Sequence, residues 1–269
     1  MEKYSVLMSL YIKEKPDYLR HALDSMINQT IKPDEIVLVE DGPLTDELYA
    51  VVEAYKDQLH LIVNNTNLGL GPALNRGLEA CKNELVARMD TDDIAVLDRC
   101  EKQIRFLEDN PAITIVGGQI EEFIDDPSNI TGRRIVPETD KELKAYMKKR
   151  CPFNHMTVMF KKSDVIKAGN YQDWFWNEDY FLWIRLALGE FKFANLPDIL
   201  VHTRIGTDMY KRRGGDKYFK SEIGIQKFML DKKMIGCGTY LINCGKRLMV
   251  EKLMPDKLRG WVFQKFARS

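Results

Sequence analysis

The chain has 269 residues, 45% hydrophobic and 30% charged, and a formal charge of zero from 40 Lys and Arg against 40 Asp and Glu. Such a composition fits one large globular domain, or a domain with an appendage, and excludes a disordered chain; no apolar run reaches the roughly 18 to 20 residues of a bilayer span. The zero also hides two unlike parts, because residues 206–269 hold 15 basic against 6 acidic side chains and the preceding residues hold 25 against 34.

The N-terminus, Met1-Glu2-Lys3-Tyr4, runs directly into a strand-like segment with no signal-peptide pattern, so a cytoplasmic protein is expected. Five cysteines, Cys81, Cys100, Cys151, Cys237 and Cys244, show no metal-ligand spacing and read as reduced thiols. Residues 5–10 form a short apolar strand, and a loop at 11–15 precedes Pro16, which suits the first turn of a helix. That helix extends to about residue 28, with Leu19, Ala22, Leu23, Met26 and Ile27 on one face. A second apolar strand at 36–39 ends in Glu40-Asp41-Gly42, a helix follows at 48–55, and a third strand occupies 59–63. A loop containing Asn67-Leu68-Gly69 feeds a helix at 73–81, and a fourth strand covers 85–89. Strand and helix alternate four times and the strands are continuously apolar. This pattern predicts an α/β fold, a mostly parallel sheet flanked by helices on both faces.

Open sheets of this kind bind ligands at the carboxyl ends of their strands. The polar clusters Ser9 to Tyr11, Glu40-Asp41, Asn67 to Gly69 and Asp90 to Asp92 all fall at such ends. The last is the most pointed, because Leu85-Val86-Ala87-Arg88-Met89 runs straight into Asp90-Thr91-Asp92-Asp93. Alternation along an extended chain puts Asp90 and Asp92 on one side, where two carboxylates repel unless a cation joins them. Oxygen ligands on a short loop suit a hard cation, Mg²⁺ or Mn²⁺, and Arg88 adds a fixed positive charge for a phosphate. The plainer alternative is that Asp92 or Asp93 caps a helix beginning near Ile94.

Beyond the carboxylates the sequence predicts a helix at 98–110 and a strand at 113–116 closed by Gly117-Gly118. A polar excursion at 119–137 carries a strand or hairpin, and a basic helix covers 141–149. His155 then sits in a loop ahead of an apolar strand at 157–160, placed for a phosphate or acceptor contact. In Trp174-Phe175-Trp176-Asn177-Glu178-Asp179-Tyr180 the helical pattern starts at Tyr180, so the acidic pair lies at a helix start. The helix dipole alone accounts for such a placement. Carboxylates among aromatic rings are also partly desolvated, which raises a pKa and suits a general base. A turn and strand at 196–204 close the body at Arg204.

Taken in order, these fragments resemble the family-2 nucleotide-sugar glycosyltransferases, whose fold is GT-A, a Rossmann-like arrangement. The matching series is the Ser-Leu-Tyr loop, Val39-Glu40-Asp41-Gly42, Asn67-Leu68-Gly69 with Ala73-Leu74-Asn75-Arg76-Gly77, Ala87-Arg88-Met89-Asp90-Thr91-Asp92-Asp93, Asn154-His155, and Asn177-Glu178-Asp179-Tyr180. The resemblance implies that Ser9 and Tyr11 line a base pocket and that Asp41 accepts a hydrogen bond from uracil. Asn67, Asn75, Arg88 and Asp90 would complete the nucleotide-sugar site, and Asp92 with Asp90 would ligate Mn²⁺ or Mg²⁺. Glu178, His155 and Arg204 would lie on the acceptor and phosphate side, with Asp179 as the catalytic base that deprotonates the acceptor hydroxyl. It further implies an inverting single displacement with no enzyme nucleophile. Glu40, where many members have Asp, and Thr203-Arg204, without the usual following His or Asn, depart from the pattern.

The expected organisation is a catalytic domain at 1–205 and a basic helical extension at 206–269, with helices near 218–231 and 240–253. A last segment at 257–268 mixes Trp261, Phe263 and Phe266 with Lys257, Arg259, Lys265 and Arg268. Basic and aromatic residues together suit an anionic lipid surface, so peripheral attachment to the inner face of the cell membrane is expected; packing on the acidic body is the alternative. Arg212 and Arg213 offer charges for an acceptor's diphosphate. The expected reaction is hexose transfer from a UDP-sugar to a glycan, lipid-linked acceptor during synthesis of a bacterial surface polysaccharide. The alternatives are a nucleotidyltransferase, which lacks its Gly-rich loop here, and an inactive sugar-binding scaffold. No nucleic-acid partner is expected, since the body is acidic and no reading motif is present.

Overall fold

The structure, a computed structural model, describes residues 2–206 and 215–253. The first half alternates as expected: β1 (Tyr4–Leu10), α1 (Pro16–Ile27), β2 (Glu35–Asp41), α2 (Asp46–Ala54), β3 (Leu59–Asn64), α3 (Leu70–Ala80) and β4 (Leu85–Arg88). Then follow β5 (Ile94–Ala95), α4 (Arg99–Asp109), β6 (Ile113–Phe123), β7 (Ile130–Arg134) and α5 (Asp140–Met147). The body ends with β8 (Met159–Lys161), α6 (Lys162–Lys167), α7 (Glu178–Leu188) and β9 (Lys192–Arg204). After the gap come α8 (Asp216–Asp231), α9 (Cys237–Arg247) and a π-helical turn at Leu248–Leu253.

The strands form one sheet in the order β3-β2-β1-β4-β8-β6-β9-β5, with β7 paired to β6. β1 pairs in parallel with β2 on one side and β4 on the other. The chain therefore reverses its strand order beside β1, and the crevice at the carboxyl ends of β1 and β4 is the switch point where such sheets bind ligands. The expectation of a mostly parallel sheet holds for this half and is corrected in the other, where β8, β7 and β5 all run antiparallel to their neighbours. Short strands joined by tight connections can reverse direction without a crossover helix, so the apolar runs carry no sign of it.

Alternation along the strands splits the core in two. Tyr4, Val6, Met8 and Leu10 of β1 face α1, α2 and α4, together with Leu85 and Ala87 of β4. Leu7 of β1 and Val86 of β4 face the opposite layer, where Leu74 and Leu78 of α3 pack with Tyr180, Trp183 and Leu186 of α7. Arg88 has the parity of Val86, so its side chain belongs to the α7 side. Ile225 and Met229 of α8 lie in this same layer, so the first helix of the basic extension shares the core of the body. The predicted helix at 257–268, with Arg212 and Arg213, lies outside the described residues.

Four expectations are corrected. No helix starts at Ile94, which pairs with His202 across β5 and β9, so Asp92 and Asp93 cap nothing there and the helix begins at Arg99. β3 is a sheet edge, with Val63 55% exposed, because an apolar run does not distinguish an edge from a centre. β6 does not stop at Gly117-Gly118 but runs on to Phe123. A Cβ at Gly117 would stand 2.4 Å from Asn195 Oδ1 and one at Gly118 2.5 Å from Leu200 Cδ1, so the glycines admit side chains of β9 rather than end the strand. β9 in turn begins before the predicted turn and passes through Pro197, with a shift of register between its pairing to Gly117 and to Gln119 that absorbs the proline. Gly117→Val is expected to destabilise the fold by about 1–3 kcal/mol through overpacking against Asn195 and Phe153. An unchanged urea midpoint would show that β9 does not press on β6 there.

Candidate functional site

Four segments that are distant in the chain meet at the carboxyl end of β4. Carboxylate oxygens of Asp90, Asp92 and Asp93 lie within 4.8 Å of one another. Beneath them Arg88, only 2% exposed, pairs through Nη2 with an Asp90 oxygen at 2.5 Å. Its Nε and Nη1 are buried and have no hydrogen-bond partner among the described residues. Burial opposes the Arg88 charge, but Asp90 outweighs it and holds the guanidinium above its ordinary value. Arg88 thus lies under the acidic cluster rather than on its surface.

Burial, then Asp90 and then Glu14 push the Asp92 carboxyl up to about 7. Burial, Asp92 and Asp90 raise Asp93 well above the carboxylate range. Glu14, in the loop after β1, is raised by its own burial and accepts from Thr91 Oγ1 at 2.8 Å. Crowded, desolvated carboxylates are a site that could hold a divalent cation, and an all-oxygen donor set fits Mg²⁺ or Mn²⁺. Asp90 and Asp92 would hold it. Asp93 is buried, and its Oδ1 accepts from the backbone N–H of Arg204 at 2.8 Å. The guanidinium of Arg204 lies between the rings of Tyr18 and Phe123, 3.8 and 4.5 Å from their centroids. It donates to the carbonyls of Asp92 and Asp125, so Arg204 ties the end of β9 to the acidic loop.

The second acidic pair faces the same arginine. Glu178 and Asp179 open α7 after Asn177, and both are half-buried. Burial and then Asp179 push Glu178 up to about 7, and burial raises Asp179, while Arg88 acts in the opposite sense on both. One Asp179 oxygen accepts from the Tyr180 N–H at 2.6 Å, and the other lies 3.7 Å from Cys151 Sγ. His155 sits in a single 3-10 turn at His155–Thr157, with Nε2 2.9 Å from the Tyr171 hydroxyl. Burial, aided by Arg88, keeps its imidazole well below the usual value and therefore neutral near pH 7. Asn75 is committed elsewhere: its amide donates to the Tyr171 carbonyl at 2.7 Å and accepts from the Tyr171 N–H at 2.9 Å. That clamp joins α3 to the segment before α7.

On the β1 and β2 side, Ser9 is half-buried and Tyr11 lies exposed at the strand end. Asp41 is buried, with Oδ1 accepting from Asn64 Nδ2 and the Leu68 N–H and Oδ2 from the Gly69 N–H. Asn67 Nδ2 donates to the Asp41 carbonyl. Gly42, with φ at +91°, brings its Cα so near this loop that a Cβ would stand 2.7 Å from the Asn67 nitrogen. Asp41 and Asn67 therefore shape the loop over which a base would lie.

Sequence reasoning assigned no site role to Glu14, Tyr171, Arg99 and Arg134, marked Cys151 only as a reduced thiol, and offered Asp93 only as part of the acidic motif or a helix cap. Arg99 is fully buried and donates to the Arg88 carbonyl at 2.8 Å, while Gln103, one turn on, donates to the carbonyls of Val116 and Thr157. Arg134 of β7 donates to the carbonyls of Phe153 and Cys151 and to Asn154 Oδ1, holding the turn that carries His155. A buried Arg or Gln on a polar-looking helix or hairpin leaves no periodic signal.

An open α/β sheet with an aspartate cluster at its switch point and a second acidic pair near a buried arginine is an arrangement that could hold a metal ion at the ligand-binding end of the sheet. A model of the glycosyl transferase family 2 matches residues 5–166, and the chain belongs to that family: it is a glycosyltransferase. The amylovoran biosynthesis glycosyltransferase AmsE of Erwinia amylovora is 43% identical, over 93% of this chain and 96% of its own. An Escherichia coli UDP-Gal:alpha-D-GlcNAc-diphosphoundecaprenol beta-1,3-galactosyltransferase is 37% identical, over 99% of this chain and 97% of its own. Among solved structures, the mannosyltransferase PcManGT from Pyrobaculum calidifontis, in complex with GDP-Man and Mn²⁺, shares the fold with a TM-score of 0.63 at 16% identity. That likeness covers 98% of this chain and 81% of the other. Membership sets aside the nucleotidyltransferase alternative.

The raised Asp92 pKa sets a pH dependence. A carboxyl raised from its unfolded value to about 7 contributes stability below about pH 4 and loses it as pH rises through 7. Cation binding needs the ionised form, so the Mn²⁺-induced rise in Tm is expected to be small at pH 5.5 and full by pH 8. Asp92→Asn should raise the metal-free Tm at pH 8 and remove most of the Mn²⁺ effect. An equal Mn²⁺ shift in the variant would exclude Asp92 as a ligand.

Proposed function

We propose that the protein transfers a hexose from a UDP-sugar to a lipid-linked glycan, with inversion, during synthesis of a bacterial surface polysaccharide. The observation that carries this reading is the confrontation of Asp90 and Asp92 with Glu178 and Asp179 across Arg88. One group of carboxylates suits the donor's diphosphate through a cation, and the other, with raised pKa values, suits an acceptor hydroxyl. The similarity to AmsE and to the Escherichia coli galactosyltransferase supports the pathway and the acceptor class.

In this reading Ser9, Tyr11 and the loop held by Asp41 and Asn67 receive the nucleotide. Asp90 and Asp92 hold Mn²⁺ or Mg²⁺, which when bound neutralises the diphosphate of the leaving UDP. Asp179 accepts the proton of the acceptor hydroxyl, whose oxygen attacks the anomeric carbon as the bond to UDP breaks. Its desolvated setting keeps its basicity above that of a surface aspartate. Glu178 and neutral His155 lie beside that path, and Arg204 holds the acidic loop in place.

The extension supports contact with the cytoplasmic face of the membrane. On the outward side of α9 and the turn after it, Leu241, Ile242, Leu248 and Met249 are all exposed, with Lys246 beside them. Among the described residues no helix is long and apolar enough to cross a membrane, so attachment would be peripheral.

Asp179→Asn is expected to lower transfer by roughly 10²–10⁴-fold while UDP affinity in Mn²⁺ stays at the wild-type value. Loss of UDP binding in that variant would show a structural role instead. Serine at positions 241, 242 and 249 together should reduce co-sedimentation with anionic liposomes and leave the Tm unchanged; equal sedimentation would remove α9 from the membrane contact.

A further inference from the structure

One shallow cleft, open to solvent, lies close to the acidic pair in the chain but outside the site described above. It measures about 460 Å³, within the range of roughly 300–1,000 Å³ typical of small-ligand clefts, and is lined by Trp174, Phe175, Lys217, Lys220 and Ser221. Its two sides come from the segment before α7 and the first turns of α8, and a lattice of hydrogen bonds joins them. Trp174 Nε1 donates to the Ser221 carbonyl at 3.0 Å, Ser221 Oγ donates to the Phe175 carbonyl at 2.6 Å, and Asn177 Nδ2 donates to Ser221 Oγ at 3.0 Å. Asn177 immediately precedes Glu178 and Asp179, so the cavity wall is one hydrogen bond away from the start of the catalytic helix.

The lining has two chemistries. Trp174 and Phe175 form an aromatic wall, and Phe175 stacks on the exposed Trp176, ring centroids 5.7 Å apart. Trp176 holds a φ of +59°, unfavourable for a bulky residue, and this turn keeps both rings facing outward. Opposite stand two exposed ammonium groups. The nearby carboxylates of α8 are already engaged, Asp216 with Lys252 and Glu222 with Arg247. Lys217 and Lys220 have no carboxylate partner among the described residues. Two such cations lining one cleft with aromatic rings match a ligand that is anionic at one end and apolar at the other.

This deepens the proposed function and rests on it. We infer that this cavity binds the acceptor's diphosphate, with Lys217 and Lys220 on the phosphates and Trp174 and Phe175 against the first carbons of the lipid. An acceptor sugar presenting a hydroxyl to Asp179 carries its own diphosphate about one pyranose ring away, and this cleft is joined to the start of α7 through the Asn177 to Ser221 hydrogen bond. The donor's diphosphate belongs to the Asp90 and Asp92 cluster, so the two anionic groups occupy separate places.

The test compares two acceptors with UDP-galactose as donor, an N-acetylglucosaminyl diphosphate bearing a decyl chain and the decyl glycoside lacking the diphosphate. The double variant Lys217→Ala, Lys220→Ala is expected to raise KM for the diphosphate acceptor by roughly tenfold or more. KM for UDP-galactose and the Tm stay at wild-type values, and the preference for the diphosphate acceptor shrinks by the same factor. Phe175→Ala should raise KM for both acceptors through the lost wall. An active wild type with unchanged acceptor KM in the lysine variant overturns this inference alone. A wild type that transfers to neither acceptor with any UDP-hexose overturns the functional reading and this inference with it.

Discussion

A guanidinium buried from water must be answered by negative charge, and in this protein that demand is concentrated on Arg88. The cost of desolvating an arginine is several kcal/mol and is offset only by close carboxylates and hydrogen bonds. Asp90 provides the direct contact, while Asp92, Asp93, Glu178 and Asp179 all lie within reach of its field. The same charge works in the other direction. Arg88 opposes the rise that burial imposes on the carboxyls of Asp92, Asp93, Glu178 and Asp179. The arginine therefore lets two groups of acids, one at the end of β4 and one at the start of α7, coexist in one cleft.

Around that charge the loops are fixed from within rather than by regular structure. Asp41 uses both carboxylate oxygens to hold the turn at Leu68 and Gly69, Arg204 is gripped between Tyr18 and Phe123, and Arg99 supports the last turn of β4 from below. Asp41 and Arg99 are buried and Arg204 is half-buried, each with its partners supplied, which makes a loop as precise as a strand. The consequence for function is division of labour. Several residues of the motifs, Asp41 and Arg204 among them, hold the loops of the site through bonds within the chain.

The basic extension is likewise two things at once. Ile225 and Met229 of α8 complete the core behind α7, and Ser221 laces α8 to the turn that precedes the catalytic helix. Outward faces of these helices and the turn after them carry exposed lysines and exposed leucine, isoleucine and methionine. Packing on the body is thus a property of the inner face of α8, while the predicted helix at 257–268 lies outside the described residues.

Much was legible in the chain itself. The apolar strands at 5–10, 36–39 and 85–89, the helices between them and the polar clusters at their ends follow from local periodicity, because a buried strand must be apolar and must stop where charge begins. The acidic start of α7 was legible for the same reason. What only the tertiary structure decided is which of those clusters meet. The reversal of β8, the passage of β6 through Gly117-Gly118, the strand at Ile94 and the union of Asp93 with Asp90 and Asp92 depend on contacts between residues far apart in sequence. Asn75 and Tyr171, 96 positions apart, or Arg204 and Asp93, 111 apart, leave no mark in either neighbourhood. A sequence records the propensity and burial of each segment, whereas the partner of a buried charge is chosen by the path of the folded chain.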